Sequence, residues 1–575
     1  MRRVTRGFRE PIRWLSLGVI AILVVLVALP LGGLVRATLG PEGEGSWTAV
    51  LASPLSANLF WTPLGNSLLV GLGTGLLSTV IGAFLAWVVV LSDVPGRRVI
   101  GVLATIPFAL PSFAIALAWS SVFRNDRLGG APGLLTALGI PVPDALAWGA
   151  LPVTLTLVAH YFSLSFIVIA AALANVGGDI LAAAELTGAS RARIAFRIAL
   201  PAVAPAALSG FLLAFAEGVS NFAVPALLGL PVRFQTLSTR LYGAISTGDT
   251  ERGYVLSILL VVIAAAVLFL GTRATAGRSF ATITGKATRP RIVRTGPWRW
   301  PIAVAAAGLV LLTAVVPGII LAASTLLRRT NRLDGGLTLH YWIGESDSAV
   351  AQGMRGVVRD PIVLDALGGT LALGVAVAIG ATLVGLLGAY VLRRLPRAKV
   401  TSSTISLLSY VPFLIPGVAF GAAFIAQFAA PIGPIPSLYG TFAILVIAGI
   451  AASIPFAFQT SKAALSQVSG DLEEAAILTG ASGPRRLGRI VLPLASRGVV
   501  GGGVLVFVTM VRDLSLVVLL VTPATPLLSV MTFRYASEGF TQHANAITLI
   551  IAVISVAATL LARRLQGARQ SGSTP

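Results

Sequence analysis

Twelve long apolar runs punctuate the 575-residue sequence and leave it few ways to fold. Each is about 20 residues or longer, the length a helix needs to cross a hydrocarbon core roughly 30 Å thick. The alternating strands of an outer-membrane barrel need only about half that length. With 56% hydrophobic and 11% charged residues, the chain carries more apolar surface than a soluble domain can hide. The expected fold class is therefore an all-α integral membrane protein with about twelve transmembrane helices. Cysteine is absent, which removes disulfides, thiolate metal sites and cysteine nucleophiles. The histidines, His160, His340 and His543, are too scattered for a metal cluster. Neither a metal site nor a catalytic residue is expected.

The first run, 15–35, follows Arg2, Arg3, Arg6, Arg9 and Arg13. It is too long for a signal peptide and lacks a clear small-residue cleavage site, so an uncleaved first helix with its N-terminus inside is expected. Further spans are expected near 64–91, 99–122, 147–174, 202–222 and 254–272. A second set follows near 301–326, 364–392, 404–429, 435–459, 499–521 and 544–562. The net charge of +21 raises the question of nucleic acid. The basic clusters, among them Arg97-Arg98, Arg393-Arg394 and Arg563-Arg564, instead fall into alternate loops, as positive-inside topology requires. No nucleic-acid partner is expected, and both termini should be cytoplasmic. Residues 273–300 are basic and diluted by Pro, Gly and Thr, which predicts a cytoplasmic linker between halves at 1–272 and 301–575. Trp47, Trp61, Trp148 and Trp342 sit near expected interfaces, as an aromatic belt would.

The halves repeat. Glu474-Ala475-Ala476-Ile477-Leu478-Thr479-Gly480 leads to Ile490-Val491-Leu492-Pro493, and Ala182-Ala183-Ala184-Glu185-Leu186-Thr187-Gly188 leads at the same spacing to Ile198-Ala199-Leu200-Pro201. Ile106-Pro107-Phe108-Ala109-Leu110-Pro111 matches Val411-Pro412-Phe413-Leu414-Ile415-Pro416. Six spans per half insert both repeats in the same orientation, so they should be related by an axis along the membrane normal. Each polar motif lies between the fourth and fifth spans of its half. Its small residues permit close approach, its glycine ends a short helix and its proline opens the next element.

The pattern Glu-Ala-Ala-x3-Gly-x9-Ile-x-Leu-Pro resembles the EAA loop of permease subunits of ATP-binding-cassette importers. The second copy matches throughout, whereas Ala182 replaces the glutamate in the first. The resemblance implies the type I importer permease fold in a bacterial inner membrane, with both loops acting as coupling helices for two copies of a cytoplasmic ATPase. It also implies an extracytoplasmic substrate-binding protein as partner, around a chain embedded in membrane lipid. The P-loop pattern Gly-x4-Gly-Lys-Ser/Thr is missing, so ATP and Mg are expected on the partner ATPase. The departure at Ala182 predicts unequal coupling by the two loops.

Within the spans, Glu217, Asn221, Arg512 and Asp513 are polar groups that are expensive in hydrocarbon. Offset by the 292 residues between the motif glycines, Asn221 falls opposite Asp513. They are candidates for the translocation pathway; the alternative is internal pairing or a place at the outer interface. Pro107, Pro111, Pro412 and Pro416 interrupt the third and ninth spans, either as gating elements or as fixed kinks. The fused six-plus-six plan is similar to the ferric-iron permease group and its thiamine, polyamine and aminoethylphosphonate relatives. Alternating access driven by a separate ATPase is the implied mechanism, with ferric iron the leading cargo. An ion-gradient-driven secondary transporter is the alternative of a different class.

Overall fold

A computed structural model describes residues 10–175, 200–275, 292–348, 350–395, 398–434 and 436–567. Ten helices among them are long and apolar enough to span a membrane, and two sharply bent pairs raise the count to twelve. The first half comprises α1 (Ile12–Leu39), α2 (Ala57–Leu91), the bent pair α3 (Arg97–Ala109) and α4 (Ser112–Phe123), α5 (Asp144–Ala174) and α6 (Pro201–Ser220). Two short helices follow, α7 (Ala223–Leu228) and α8 (Leu237–Ser246), and then α9 (Thr250–Gly271). The second half repeats the order of the spans. It runs through α10 (Gly296–Thr325), α11 (Pro361–Arg394), the bent pair α12 (Lys399–Leu414) and α13 (Gly417–Phe428), and α14 (Phe442–Ser466). The short α15 (Gly470–Leu478), α16 (Leu487–Val511), α17 (Leu528–Ser537) and α18 (Thr541–Ala562) complete it. A two-stranded hairpin, β1 (Leu327–Arg329) and β2 (Arg332–Leu337), turns through Asn331 at positive φ between α10 and α11.

The third and ninth spans are not single helices. Their halves meet at 94° and 112°. The break lies at the residue before each second proline: Leu110 and Ile415 are extended, the conformation that the Pro111 and Pro416 rings favour. Pro107 and Pro412 behave differently. Pro107 opens a short helical turn, and Pro412 sits in the last turn of α12. Of the four prolines, two make the breaks.

Three further expectations change. The eleventh span ends at Val511 rather than near 521, so Arg512 and Asp513 follow the helix instead of lying inside it. Residues 514–521 continue as irregular, largely buried backbone against Gly417 and Gly421 of α13. Non-helical backbone is tolerated at such depth when protein covers it. The segment after α6 is likewise no simple outer loop: α7 and α8 bury Val224, Leu228, Leu237 and Leu241. Trp148 is buried and donates to Asn125 Oδ1 at 3.0 Å, so it is not a belt residue, whereas Trp61 is exposed.

The halves interlock. In the first, α2 packs on α5 and α6; in the second, α11 packs on α14 and α16. The leading helix of each half crosses to the other: α1 lies against α11, α12 and α13, and α10 lies against α3 and α4. Close approach depends on glycine, because association in lipid rests on packing rather than on apolar burial. A Cβ on Gly33 of α1 would meet the Gln427 side chain of α13 at 2.3 Å.

Loop contacts sort into two faces. On one, Val293 pairs with Leu91 and Asp93, while Thr295 donates its N–H and hydroxyl to the Asp93 carboxylate at 2.8 and 2.6 Å. Those bonds from Thr295 hold the Asp93 carboxyl below its ordinary range. On the other, Asn331 of the hairpin turn donates to the Pro132 carbonyl at 2.9 Å. The expected inside loops meet inside loops, and the outside loops meet outside loops.

Glycine packing inside α11 is directly testable. A Cβ on Gly385 would sit 2.6 Å from the Ala457 carbonyl carbon of α14, whereas Gly368 faces open space. Gly385→Ala should destabilise the detergent-solubilised protein by about 1–3 kcal/mol. Gly368→Ala should leave it unchanged or up to about 1 kcal/mol more stable. Thermal unfolding of the two variants, side by side, reads the difference.

Candidate functional site

A cavity of about 230 Å³ opens where the halves meet. Its walls come from both bent pairs, from α5 and α14, and from the ends of α6 and α16. Pro111, Pro412, Pro416, Glu217, Asn221, Arg512 and Asp513 all line it; Pro107 does not. Wall residues fall on repeat-related positions, with Phe108 answering Phe413 and Asn221 answering Asp513.

The local chemistry explains why each helix stops there. After α6, Asn221 Oδ1 accepts from Val224 N at 3.0 Å. After α16, Asp513 Oδ1 accepts from Leu516 N at 2.8 Å. The same 292-residue offset relates both members of each pair. A short side-chain acceptor offers the backbone an alternative to the next helical turn, so the two repeats end their helices with the same device. Asn221 also donates to Tyr161 Oη at 3.1 Å and Ser112 Oγ at 3.2 Å, tying α6 to α5 and to the start of α4.

Arg512 joins the halves. Its guanidinium donates at 3.1 Å to the Leu110 carbonyl, at the α3–α4 break of the other half, and lies 4.6 Å from the centre of the Phe108 ring. The proline break removes that carbonyl's helical partner, and the arginine replaces it. Repeat symmetry ends here: Ser220 stands opposite Arg512, Thr509 opposite Glu217 and Ala452 opposite His160. The cavity thus carries two carboxylates and one guanidinium among the described residues. Sequence inspection missed Tyr161, His160 and Ser112, because single hydroxyl and imidazole groups in a long apolar span look like ordinary packing.

The second polar motif forms α15 with its ends closed. Ser469 Oγ accepts from Asp471 N at 3.2 Å. Gly480, at φ +79°, and Ala481 return their N–H groups to Ile477 and Ala476 at 3.0 Å each. This is the left-handed helix stop the glycine predicted. The two alanines do not share one open face. Ala475 is exposed with Glu474, while Ala476 is buried within the chain. The outward face instead presents Leu472 and Leu478, the latter 88% exposed. Arg485 and Arg489 are exposed, whereas Arg486 is buried and donates to the Ala481 carbonyl at 2.8 Å. The first copy, Ala182, Ala183, Ala184, Glu185 and Gly188, lies outside the described residues.

Comparison with known proteins agrees with this twofold plan. Residues 78–279 and 381–570 each match the family described as binding-protein-dependent transport system inner membrane component. The ferric transport system permease protein FbpB of Actinobacillus pleuropneumoniae is 24% identical over 505 residues, 86% of this chain and 70% of its own. The sulfate transport system permease protein CysT of Escherichia coli is 26% identical over 272 residues, 47% of this chain and 92% of its own. The putative molybdenum transport system permease protein YvgM of Bacillus subtilis is 25% identical over 224 residues, 38% of this chain and 96% of its own. Matched in both halves, the chain belongs to the binding-protein-dependent transport system inner membrane component family, as a fused, two-half, multi-pass permease of an ABC importer.

Proposed function

We propose that this permease imports ferric iron, free or chelated, by alternating access between the two faces of its central cavity. The observation that carries the reading is the pair of carboxylates, Glu217 and Asp513, in a small cavity at the junction of the halves. Carboxylates so deep are expensive to keep unless they face a polar pathway, and they suit a compact, highly charged cation. FbpB, which matches along most of the chain, is a relative of this fused form. Arg512 favours a second reading, an oxyanion cargo, because a guanidinium matches tetrahedral oxyanions; CysT and YvgM each match about one half. The affinity of the extracytoplasmic binding protein encoded nearby separates the two. Tight ferric binding supports the first reading, and tight sulfate or molybdate binding replaces it with the second.

In this reading α15 and the segment around Gly188 are the coupling elements, one for each of two ATPase copies. Leu472 and Leu478 form the apolar part of the docking face, and Glu474 lies beside them. ATP binding closes the ATPases, draws the coupling elements together and opens the cavity outward; hydrolysis resets it. Both termini lie in the cytoplasm and lipid surrounds the spans. Pro111 and Pro416 fix the bends that shape the cavity mouth.

Asp513→Ala and Glu217→Ala should each lower uptake at least tenfold at normal expression, measured as ATP-dependent accumulation in proteoliposomes. Wild-type uptake in both variants sinks the pathway assignment. Gly480→Asp should remove more co-purified ATPase than Gly188→Asp, since the second motif is complete and the first lacks its glutamate. Equal losses contradict unequal coupling.

A further inference from the structure

Beside the exposed face of α15 lies a charged cluster that the coupling motif does not include. Glu473 is 3% exposed, one residue before the motif glutamate, and points back into the chain. Its carboxylate lies 3.4 Å from an Arg394 guanidinium nitrogen and 3.7 Å from one of Arg393, and it accepts from Tyr390 Oη at 3.3 Å. All three partners sit in the last turns of α11. Arg393 also donates to the Leu465 carbonyl and, at 3.0 Å, to the Val468 carbonyl, at the end of α14 and the turn that leads into α15. One carboxylate and one arginine thus tie the ends of two spanning helices to the short helix between α14 and α16. A buried carboxylate left without such partners is strongly destabilising.

At the corresponding positions of its sequence the first half carries none of these charges. Ser67 and Thr370 each accept a backbone N–H, from Leu237 and Leu528, and so set α2 and α11 in register. Gly71 and Gly374 pack against Phe215 with Val219 and against Phe507 with Val511, at the same register. Carried along it, Tyr390, Arg393 and Arg394 correspond to Trp87, Val90 and Leu91. The motif spacing sets Glu473 against Leu181. Every charged member has an apolar counterpart. Apolar contacts slide with little directional preference, whereas ion pairs and hydrogen bonds around a buried carboxylate fix both position and orientation.

We propose that Glu473 is a positioning residue that fastens the second coupling helix to the cytoplasmic end of α11, so that movement of the bound ATPase reaches the cavity-lining helices mainly through the second half. The proposal rests on the importer reading above. It places Glu473 behind the docking face rather than on it, and so separates ATPase binding from transmission.

The test uses the full permease with its ATPase and binding protein in proteoliposomes, recording cargo accumulated, ATP hydrolysed and ATPase co-purified. Glu473→Gln should retain co-purified ATPase and ATP hydrolysis, while cargo moved per ATP falls at least fivefold. The exchange E473R/R394E, which restores opposite charges, should recover at least half of the lost ratio. An unchanged ratio in Glu473→Gln overturns the proposal. So does loss of ATPase co-purification in that variant, which makes Glu473 part of docking or folding, and so does failure of the exchange variant to recover while it remains folded by thermal unfolding. Absence of ATP-driven uptake in the wild-type complex is a different result, and it defeats the importer reading itself.

Discussion

Each backbone N–H and carbonyl buried in a bilayer needs a partner from the protein, and this requirement shapes the permease wherever its helices stop early. The stops are few and occur in repeat-related pairs. At Leu110-Pro111 and Ile415-Pro416 the chain turns by about a right angle, and at Asn221 and Asp513 it leaves the helix altogether. At each of the latter a short side chain caps the N–H three residues on. At Leu110 the freed carbonyl is met from the opposite half by Arg512. The cavity is the space enclosed by these stops. Polar groups are concentrated there because interrupted backbone and a polar lining satisfy each other.

The duplication supplies a scaffold whose two sides have diverged chemically. Helix order, glycine contacts and helix-ending caps are kept, since packing and backbone pairing act identically on both halves. Charge is not kept. Arg512 corresponds to Ser220, Glu217 to Thr509, and Glu473 with its arginines to an apolar set. The exchange of α1 and α10 between halves opposes their separation.

Membrane embedding, the number of spans and the twofold plan were legible in the residues, because apolar length and basic-loop spacing are local properties. The stop at Gly480 was legible for the same reason: a glycine after a short apolar stretch specifies a left-handed turn without reference to anything distant. The end of α16 is not legible in the same way, because Leu514 to Val521 is as apolar as a helix. Hydropathy does not register that Asp513 caps Leu516 and that Gly417 and Gly421 leave room for irregular backbone. The small residues of the second motif suggest close approach by both alanines, although only Ala475 remains open once α15 is packed.

By itself, the sequence determined that this chain lives in a membrane as two parallel repeats and carries the complete Glu-Ala-Ala-x3-Gly-x9-Ile-x-Leu-Pro pattern in the second, since periodicity, charge spacing and turn chemistry depend on neighbours in the chain. Only the tertiary structure decided that Pro111 and Pro416 bend their spans while Pro107 and Pro412 do not, that Arg512 bridges the halves, and that Glu473 rather than Glu474 faces inward. The last two of those outcomes depend on partners from a distant part of the chain, such as Leu110, 402 residues from Arg512. A linear pattern holds no record of which distant groups will meet.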